Sequence, residues 1–487
     1  MCGTGLKESI LSGLLAAKGM KVLVVDRNPF YGGECASPNL TNLFKKFMPQ
    51  GLVNGEPPKA FFDALGSNRD YNVDLVPKFI MANGNLVKLL VKTDVTRYLE
   101  FKLIDGSYCF KKGLGVAKVP ATGEEALGTK LLGMLQKNWL RTFLQFIAQY
   151  DQADPATWTK LDRSALDLSK ISMADLYAKA WLDAEAQEFI GHAMGLQPDD
   201  GYLARPAIET VNALRLYAES LDRYGKSPFI YPVYGLGSLP EGFSRLCAIH
   251  GGIFILNKDV SEILFNEDGT AAGVRSGEGA EAEVALAPIV ICDPSYVPAA
   301  MKRAVGKVIR TICILNKPVP GIAGDSGQII IPQKQVGRKN GAGGARAAGA
   351  PPPLALLNPP PPPTHPESRP LPNSADIYVS IVGNSHKVVA PNKYCAIVST
   401  TVETANAKDE VAPGIALLGD PSSRVTMFNN LTDSFVPVDD GARTKVFVTA
   451  TYDASSHFEE ATNEVLAMYK RITGEDLDLT QKAEVEM

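Results

Sequence analysis

The chain has 487 residues, of which 45% are hydrophobic and 21% are charged, and its net charge is −4. This size allows a large hydrophobic core and two or more domains, and the scattered basic residues exclude an extended nucleic-acid contact. The seven cysteines form no Cys-x-x-Cys pair and the five histidines lie far apart, so we expect neither a secreted disulfide framework nor a metal site. No apolar run approaches the about 18 residues of a membrane span and no signal peptide is evident, so we expect a soluble, cytosolic protein.

The first predicted element is a glycine loop of the kind that binds dinucleotides. Gly3 and Gly5 open an apolar helix pattern, and the strand that follows at 21–25 ends in Asp26, where an acidic side chain would meet a ribose. Glu8 stands where the third glycine of such a loop would be, and it adds bulk and negative charge beside the helix N-terminus. The pattern predicts a flavoprotein-like scaffold with a vestigial FAD-type site, so we expect no cofactor.

Only Met1 and Cys2 precede this loop, although such a loop normally follows a buried strand. We therefore expect the inner strand to be missing. Either the gene model is incomplete, which we favour, or the sheet lacks a strand at a cost in backbone hydrogen bonding.

The region up to about residue 120 mixes apolar runs with turns. Runs at 87–91 and 98–103 predict strands, and an Asp105-Gly106 turn signal follows the second run.

From about residue 122 to 221 the apolar spacing becomes helical. One helix is predicted from Leu127, Leu131, Met134 and Leu135, and the next from Leu140, Phe143, Leu144 and Ile147. Ser172-x-x-Asp175 predicts a capping box for a helix that continues through Leu176, Phe189 and Ile190. Pro206 is placed for the first turn of a further helix.

Strand patterns return beyond residue 224, and the chain ends with an amphipathic helix around Val465 and Leu466. The predicted strands lie at 253–256, 289–292, 308–315, 328–331, 377–381, 394–401 and 446–452. Strands 328–331 and 377–381 are expected to form a hairpin, interrupted by a Gly/Ala/Pro-rich segment at 341–374 that cannot form a core. We interpret this segment as a disordered insertion or a retained intron, with an SH3-type ligand as the alternative.

The predicted fold class is therefore α/β. A discontinuous, FAD/NAD(P)-binding-like domain with a large mixed sheet is expected at 1–120 and 225–487, with an inserted all-α domain at 121–224.

Several longer segments carry a family resemblance. They are Asp26-Arg27-Asn28-Pro29-Phe30-Tyr31-Gly32-Gly33-Glu34, the segments 94–101, 292–296 and 399–404, and the glycine-rich block from Tyr224 to Gly252. These segments resemble the Rab GDP-dissociation inhibitor family, relatives of Rab escort proteins built on a flavin-monooxygenase-like scaffold. The matches run from residue 3 to about residue 473, omitting the insertion.

The resemblance implies a non-catalytic carrier. Such a protein binds prenylated, GDP-bound Rab GTPases, slows GDP release, removes the Rab from membranes and recycles it in vesicle traffic. The residues agree, because no nucleophile–base pair and no intact phosphate cradle is evident. A geranylgeranyl tail in water carries a penalty of about 0.8 kcal/mol per CH₂, so a carrier needs an apolar groove. We expect a cytosolic monomer with transient membrane contact.

The resemblance also assigns residues to surfaces. The Rab-binding platform comprises Tyr31, Ser238, Glu241, Arg245, Ile253, Phe254 and Ile255. Ser238 and Glu241 depart from the glutamate and glutamine that are usual in the family, and the three residues from Ile253 replace a more usual Thr-Tyr-Met. The mobile effector loop comprises Arg223, Tyr224, Lys226 and Phe229. The site for the Rab C-terminus comprises Tyr98, Leu99 and Phe101. For the prenyl groove we nominate Leu135, Phe143, Leu144, Phe189, Ile190 and Met194.

Two other functions remain open at this point. A Rab escort protein would present new Rabs to the prenyltransferase, but escort proteins are longer. A flavin-dependent oxidoreductase would need the third glycine that Glu8 replaces.

Overall fold

The structure is a computed structural model that describes residues 1–161, 164–336 and 375–480. The predicted insertion at 341–374 lies outside these residues. In the described part the α-helices are α1 (Leu6–Ala17), α2 (Leu40–Phe47), α3 (Lys59–Leu65), α4 (Asn85–Lys92), α5 (Gly123–Gly128), α6 (Met134–Gln149), α7 (Met173–Lys179), α8 (Ala184–Glu188), α9 (Ala207–Tyr224), α10 (Ser238–Ile249), α11 (Ala407–Glu410), α12 (Ala412–Ala416) and α13 (Glu459–Thr473).

The strands in the same residues are β1 (Leu23–Val25), β2 (Ile80–Met81), β3 (Phe101–Leu103), β4 (Ser107–Lys111), β5 (Gly115–Lys118), β6 (Phe229–Pro232), β7 (Ile253–Ile255), β8 (Glu262–Phe265), β9 (Ala271–Ser276), β10 (Glu283–Leu286), β11 (Val290–Cys292), β12 (Lys302–Leu315), β13 (Gly327–Ile331), β14 (Ile377–Gly383), β15 (Tyr394–Thr401), β16 (Arg424–Pro437) and β17 (Val446–Val448). A seven-stranded sheet has the order β16-β12-β15-β14-β13-β4-β5, and three-stranded sheets have the orders β2-β6-β3 and β10-β9-β8. The predicted mixed α/β fold class is confirmed.

Two short parallel pairs, β1–β7 and β11–β17, form the nucleotide-type sheet. Cys2 lies between them and forms bridges to both Val25 and Cys292. The Cys2 N–H donates to the Ile291 carbonyl at 2.8 Å, and the Val25 N–H donates to the Met1 carbonyl at 2.9 Å. The expected gap at the inner strand is therefore filled, over two residues, by Met1 and Cys2.

Helix α1 is buried along nearly its whole length and lies against α10 and α13. Close contact with α10 depends on Gly13, because a Cβ there would lie 3.1 Å from the Phe243 carbonyl oxygen. Lys7, only 3% exposed, is paired with Glu464 of α13 at 2.6 Å, which compensates for the burial of its charge.

The described residues between Thr122 and Gly225 form α5 to α9, a π-helical turn, Phe189–Met194, and two 3₁₀ turns, Pro155–Thr157 and Asp200–Ala204, with no strand among them. Their apolar faces share one hydrophobic cluster with the rest of the chain, including Phe143 on α6 and Leu86 on α4. The division into domains at 1–120 with 225–487 and at 121–224 stays a prediction.

The apolar run at 87–91 is not a strand, as predicted, but part of α4. Gly84 is the N-cap, and Leu86, Leu89 and Leu90 are buried at helical spacing while Val91 is exposed. The segment forms a helix because it then buries one apolar face against α13, and this outweighs the preference of its valines for a strand. The run at 98–103 forms a strand only at β3, because a 3₁₀ turn ends at Tyr98.

Two predicted helices are shorter than expected. Leu131 lies between α5 and α6, so the pattern that joined it to Leu127 and Met134 spans a break. The Ser172 cap is confirmed, since its hydroxyl accepts a hydrogen bond from the Asp175 N–H at 3.1 Å. However, α7 ends at Lys179, and the apolar residues further along belong to the π-helical turn.

The strands predicted after residue 224 are confirmed, although β12 is longer than expected and β17 is shorter. The hairpin across the insertion is also confirmed, because β13 and β14 pair antiparallel with Ile331 opposite Ile377. Helix α13 confirms the predicted C-terminal helix.

Candidate functional site

The glycine loop has the backbone of a dinucleotide site, but its acidic residue is fully occupied. Gly3 has a φ of 106°, and Gly5 is the N-cap of α1. Asp26 is 1% exposed, and its Oδ2 accepts hydrogen bonds from the Thr4 N–H at 2.7 Å and the Thr4 hydroxyl at 2.6 Å. The other oxygen accepts from the Asn28 N–H at 2.8 Å. The carboxylate predicted to meet a ribose is therefore used within the protein.

Glu8 fills the space beside this loop. It is 3% exposed, and its Oε1 accepts a hydrogen bond from the Thr449 hydroxyl at 2.7 Å. A Cβ on Gly5 would lie 2.5 Å from the other carboxylate oxygen, so Glu8 takes the space that a third glycine would leave. Burial, together with the charge of Asp293, raises the pKa of Glu8 to about 7.

The cavity in front of the loop has a volume of ≈ 220 Å³. Ligand pockets usually measure about 300–1,000 Å³. The Tyr296 ring lies 3.3 Å from the position of a Cβ on Gly3, and the Arg27 guanidinium lies 3.9 Å from the centre of that ring. Since a buried carboxylate faces the place of the diphosphate, the residues present do not fit a dinucleotide.

Replacing Glu8 with glutamine should stabilise the protein at alkaline pH. The folded pKa of Glu8 is raised from 4.5 to about 7, so the wild-type protein loses stability as the pH rises between these values. Glutamine can still accept from Thr449 and carries no charge. We expect the free energy of unfolding at pH 8 to rise by about 1–3 kcal/mol, with little change at pH 4.5.

Denaturant unfolding at the two pH values measures this effect. Glu124→Gln, at an exposed site on α5, is the matched control and should show no pH-dependent gain. An equal gain for Glu8→Gln at both pH values would contradict the assignment of the buried charge.

The predicted platform residues lie in the turn after β1, on β7 and on α10. Tyr31 is half-buried, and its ring packs edge-on against Phe254 with centres 5.7 Å apart. Ile253 and Ile255 are exposed on the same strand. The Arg245 guanidinium lies 4.1 Å from the centre of the Tyr98 ring, which joins a predicted platform residue to the predicted site for the Rab C-terminus.

A cavity of ≈ 680 Å³ lies next to this surface, lined in part by Tyr31, Tyr234, Ser238, Glu241, Lys45 and Lys46. Tyr234 is exposed and has a φ of 73°. Neither Tyr234 nor the two lysines were predicted from the sequence.

Asp74 holds the chain beside this cavity, and sequence reasoning missed it. Its Oδ1 accepts from the Ser37 hydroxyl at 2.5 Å and from the Leu236 N–H at 2.8 Å, and its Oδ2 accepts from the Tyr231 hydroxyl. Ser37 in turn accepts from the Gly237 N–H at 2.8 Å. Burial raises the pKa of Asp74 to about 6, against the effect of these three hydrogen bonds. The signal in the sequence was a lone carboxylate in the apolar run at 73–76.

The predicted effector loop has an exposed part and a buried part. Tyr224 and Lys226 are exposed on either side of Gly225, whose φ of 71° ends α9. The Arg223 guanidinium donates to the Ala82 carbonyl at 3.1 Å. Phe229 is fully buried in β6. Of the residues predicted to hold the Rab C-terminus, Leu99 and Phe101 are half-buried beside exposed Tyr98.

The predicted prenyl-groove residues are divided between core and surface. Phe143, Phe189 and Ile190 are buried, and Leu144 and Met194 are half-buried. Leu135 is exposed at the start of α6. The helices enclose the buried members of this set. The assignment of these six residues to a prenyl groove stays a prediction.

A buried charged cluster joins the helical part to the seven-stranded sheet. His192, on the π-helical turn, is 1% exposed, and its Nδ1 lies 2.7 Å from Asp376 Oδ2 beside β14. Its Nε2 lies 3.2 Å from Asp200, which also pairs with Lys334 at 2.8 Å. Burial alone would lower the pKa of His192, but the two carboxylates raise it to about 10.

The described residues hold no group of three or more His, Cys, Asp or Glu side chains placed to bind a metal ion. Across the same residues, no helix combines the length and apolar character needed to span a bilayer.

The fold is that of a mixed α/β oxidoreductase scaffold. An oxidoreductase from Methanosarcina mazei superposes with a TM-score of 0.55 at 16% identity, covering 96% of this chain and 99% of that one. At this identity only the fold is shared. The glycine loop of this chain does not fit a dinucleotide.

A family model described as GDP dissociation inhibitor matches residues 1–342 and 368–484, and this chain belongs to that family. It is 43% identical over 481 residues to Rab GDP dissociation inhibitor beta of Rattus norvegicus, covering 98% of this chain and 95% of the relative. It is also 43% identical to the probable secretory pathway GDP dissociation inhibitor 1 of Schizosaccharomyces pombe, covering 99% and 97%. The crystal structure of Rab GDI from Plasmodium falciparum matches with a TM-score of 0.82 and 41% identity, covering 98% of both chains. Membership places the chain among regulators rather than enzymes.

Proposed function

We propose that this protein is a Rab GDP dissociation inhibitor that binds prenylated, GDP-bound Rab GTPases and slows their release of GDP. The observation that carries the proposal is the 43% identity, over nearly the whole length, to a relative named for this activity. In the proposal the protein extracts Rabs from membranes and recycles them through the cytosol as a monomer. In the same proposal the GTPase is bound by the domain at 1–120 and 225–487, and its lipid is bound by the helical domain at 121–224.

The Rab platform is proposed at the surface around Tyr31. A half-buried aromatic ring that packs against Phe254 and lines a cavity is typical of an interface anchor. Arg245 supplies a cation that could pair with an acidic Rab residue. Ser238 lacks the carboxylate that is usual at this position in the family. Glu241, three positions further along, carries a negative charge where the family usually has glutamine.

The lipid is proposed to enter the helical part. Phe143 and Ile190 are fully buried, so a prenyl chain reaches them only if the helices around them move apart. A π-helical turn is a common place for such adjustment because its hydrogen-bond spacing is already irregular.

The test is GDP release from a prenylated Rab at saturating protein. We expect release to slow, and we expect Tyr31→Ala to weaken the complex by about 1–3 kcal/mol. Tyr31→Phe is the matched control, because it keeps the ring that contacts Phe254.

Unchanged GDP release with the wild-type protein would refute the proposal. Tight binding of unprenylated Rab together with the prenyltransferase would instead favour an escort protein. Flavin absorbance near about 450 nm in the purified protein would favour an oxidoreductase.

A further inference from the structure

An exposed apolar surface lies at the N-terminal half of α6, and we call it the aromatic patch. Its side chains, between 40% and 73% exposed, are Leu127, Met134, Leu135, Trp139 and Trp181. The rings of Trp139 and Trp181 stack with centres 6.2 Å apart and planes 27° apart. Large apolar side chains gathered in this way on a surface mark a binding site for a protein or a membrane.

The chain holds Trp181 outward in an uncommon backbone conformation. Its φ is 57°, in the left-handed region that bulky residues rarely adopt. The Gln136 side chain fixes this turn, since its Nε2 donates to the Trp181 carbonyl at 3.4 Å and its Oε1 accepts from the Asp183 N–H at 3.1 Å. An uncommon backbone conformation at a residue whose aromatic ring is exposed favours a function for that residue.

Positive charge surrounds the aromatic patch. Helix α6 contains Lys137 and Arg141 and no acidic residue, and Lys130 is exposed just before it. Within the described residues these three cations form no ion pair, although the Lys137 ammonium donates to the Leu127 carbonyl at 2.7 Å. Lys130 and Lys137 lie at the N-terminal end of α6 and Arg141 lies near its middle, and this local excess of cations favours an anionic partner.

The nearby acidic side chains offset part of this charge. Glu125 is paired with Lys118 at 2.5 Å, and Glu185 is paired with Lys111 at 2.8 Å. Two further acidic residues lie nearby, Glu124 on α5 and Asp183, whose carboxylate caps α8 by accepting from the Ala186 N–H.

We propose that the aromatic patch is a contact surface for a bilayer of anionic phospholipids. Tryptophan rings favour the level of the lipid headgroups, apolar side chains enter the acyl boundary, and lysine and arginine attract anionic headgroups. Contact by the aromatic patch does not require a bound GTPase. If the proposed function holds, the contact also brings Leu135, a predicted prenyl-groove residue, to the membrane surface.

The test is co-sedimentation of the full chain, without Rab, with phosphatidylcholine vesicles containing on the order of 25% phosphatidylserine. We expect binding that weakens in high salt and is much weaker for pure phosphatidylcholine. Trp139→Ser with Trp181→Ser should lower the partition coefficient at least about fivefold. Lys130→Glu with Arg141→Glu should remove the preference for phosphatidylserine.

The matched control is Leu286→Ser, an exposed apolar residue on β10 that should leave vesicle binding unchanged. The Trp139/Trp181 variant should unfold at the wild-type temperature and should still slow GDP release from a prenylated Rab. Because vesicle binding is measured without Rab, the protein would still bind the vesicles if it did not slow GDP release from a Rab.

Three results would overturn the proposal. The first is that the wild-type protein does not co-sediment with the vesicles. The second is that the Trp139/Trp181 variant binds the vesicles as strongly as the wild type does. The third is a change of partner. If the tryptophan variant abolishes inhibition of GDP release, or converts a dimeric wild-type protein to a monomer, the patch serves the Rab or a second copy of this chain.

Discussion

Replacing His192 with alanine should lower the free energy of unfolding at neutral pH by about 3–5 kcal/mol. The variant leaves Asp376 buried without its cationic partner and so breaks the contact that ties the helical part to the sheet, and it also removes the contact with Asp200. The effect is large because a buried carboxylate has no water to replace the lost hydrogen bond. Denaturant unfolding measures it.

A double variant separates the charge from the packing. His192→Gln with Asp376→Asn removes both buried charges while keeping hydrogen-bonding groups, so it should recover most of the loss. Asp476→Asn breaks an exposed ion pair with Lys470 and should change little. A double variant as unstable as His192→Ala would mean that packing, not charge, holds the junction.

The sign of the pH dependence follows from the pKa of His192. Because its folded value is raised from 6.5 to about 10, its stabilising contribution is complete below pH 6.5 and disappears as the pH rises through about 10. The gap in stability between wild type and His192→Ala should therefore shrink from pH 7 to pH 10. If the difference in unfolding free energy between the two proteins stays constant from pH 7 to pH 10, the His192 imidazole is not charged in the folded protein.

How far the sequence predicts this fold depends on the range of the interactions. The β13–β14 hairpin could be predicted across an insertion because each strand carries its own apolar run. The run at 87–91 could not be resolved by composition, since its valines favour a strand while its leucines repeat at helical spacing. The buried face against α13 decides between them, and only the tertiary structure shows that face.

The candidate site divides in the same way. Glu8 could be identified because the glycine loop fixes where a third glycine belongs. The His192 cluster could not, because Asp376 lies 184 residues away and no local spacing links the two. Asp74 is an intermediate case. A carboxylate within an apolar run signals a buried partner, but the partners are a serine, a tyrosine and a backbone N–H that the chain brings from two other segments.

Replacing Asp74 with alanine should have the largest effect on the proposed Rab surface. It leaves the Ser37 hydroxyl, the Tyr231 hydroxyl and the Leu236 N–H without their acceptor, and orphaned buried donors cost about 1–3 kcal/mol each. We expect a loss of about 3–5 kcal/mol in the free energy of unfolding. The freed segment carries Ser238 into the platform, so affinity for prenylated Rab should also fall, by about tenfold.

Asparagine at position 74 distinguishes hydrogen bonding from charge. Its oxygen can accept from Ser37 and Leu236, and its amide can donate to the Tyr231 hydroxyl, which is able to reverse its role. Asp74→Asn should therefore keep most of the stability and the Rab affinity. It should also remove the part of the pH dependence that comes from a folded pKa of about 6.

His192→Ala is the control for instability, because it should destabilise the protein to a similar degree at a site outside the platform. Under conditions where both variants are folded, only Asp74→Ala should bind Rab more weakly. Equal affinities for the two variants would show that Asp74 stabilises the fold without positioning the platform. Loss of Rab binding in both would trace the defect to general instability rather than to the segment that carries Ser238.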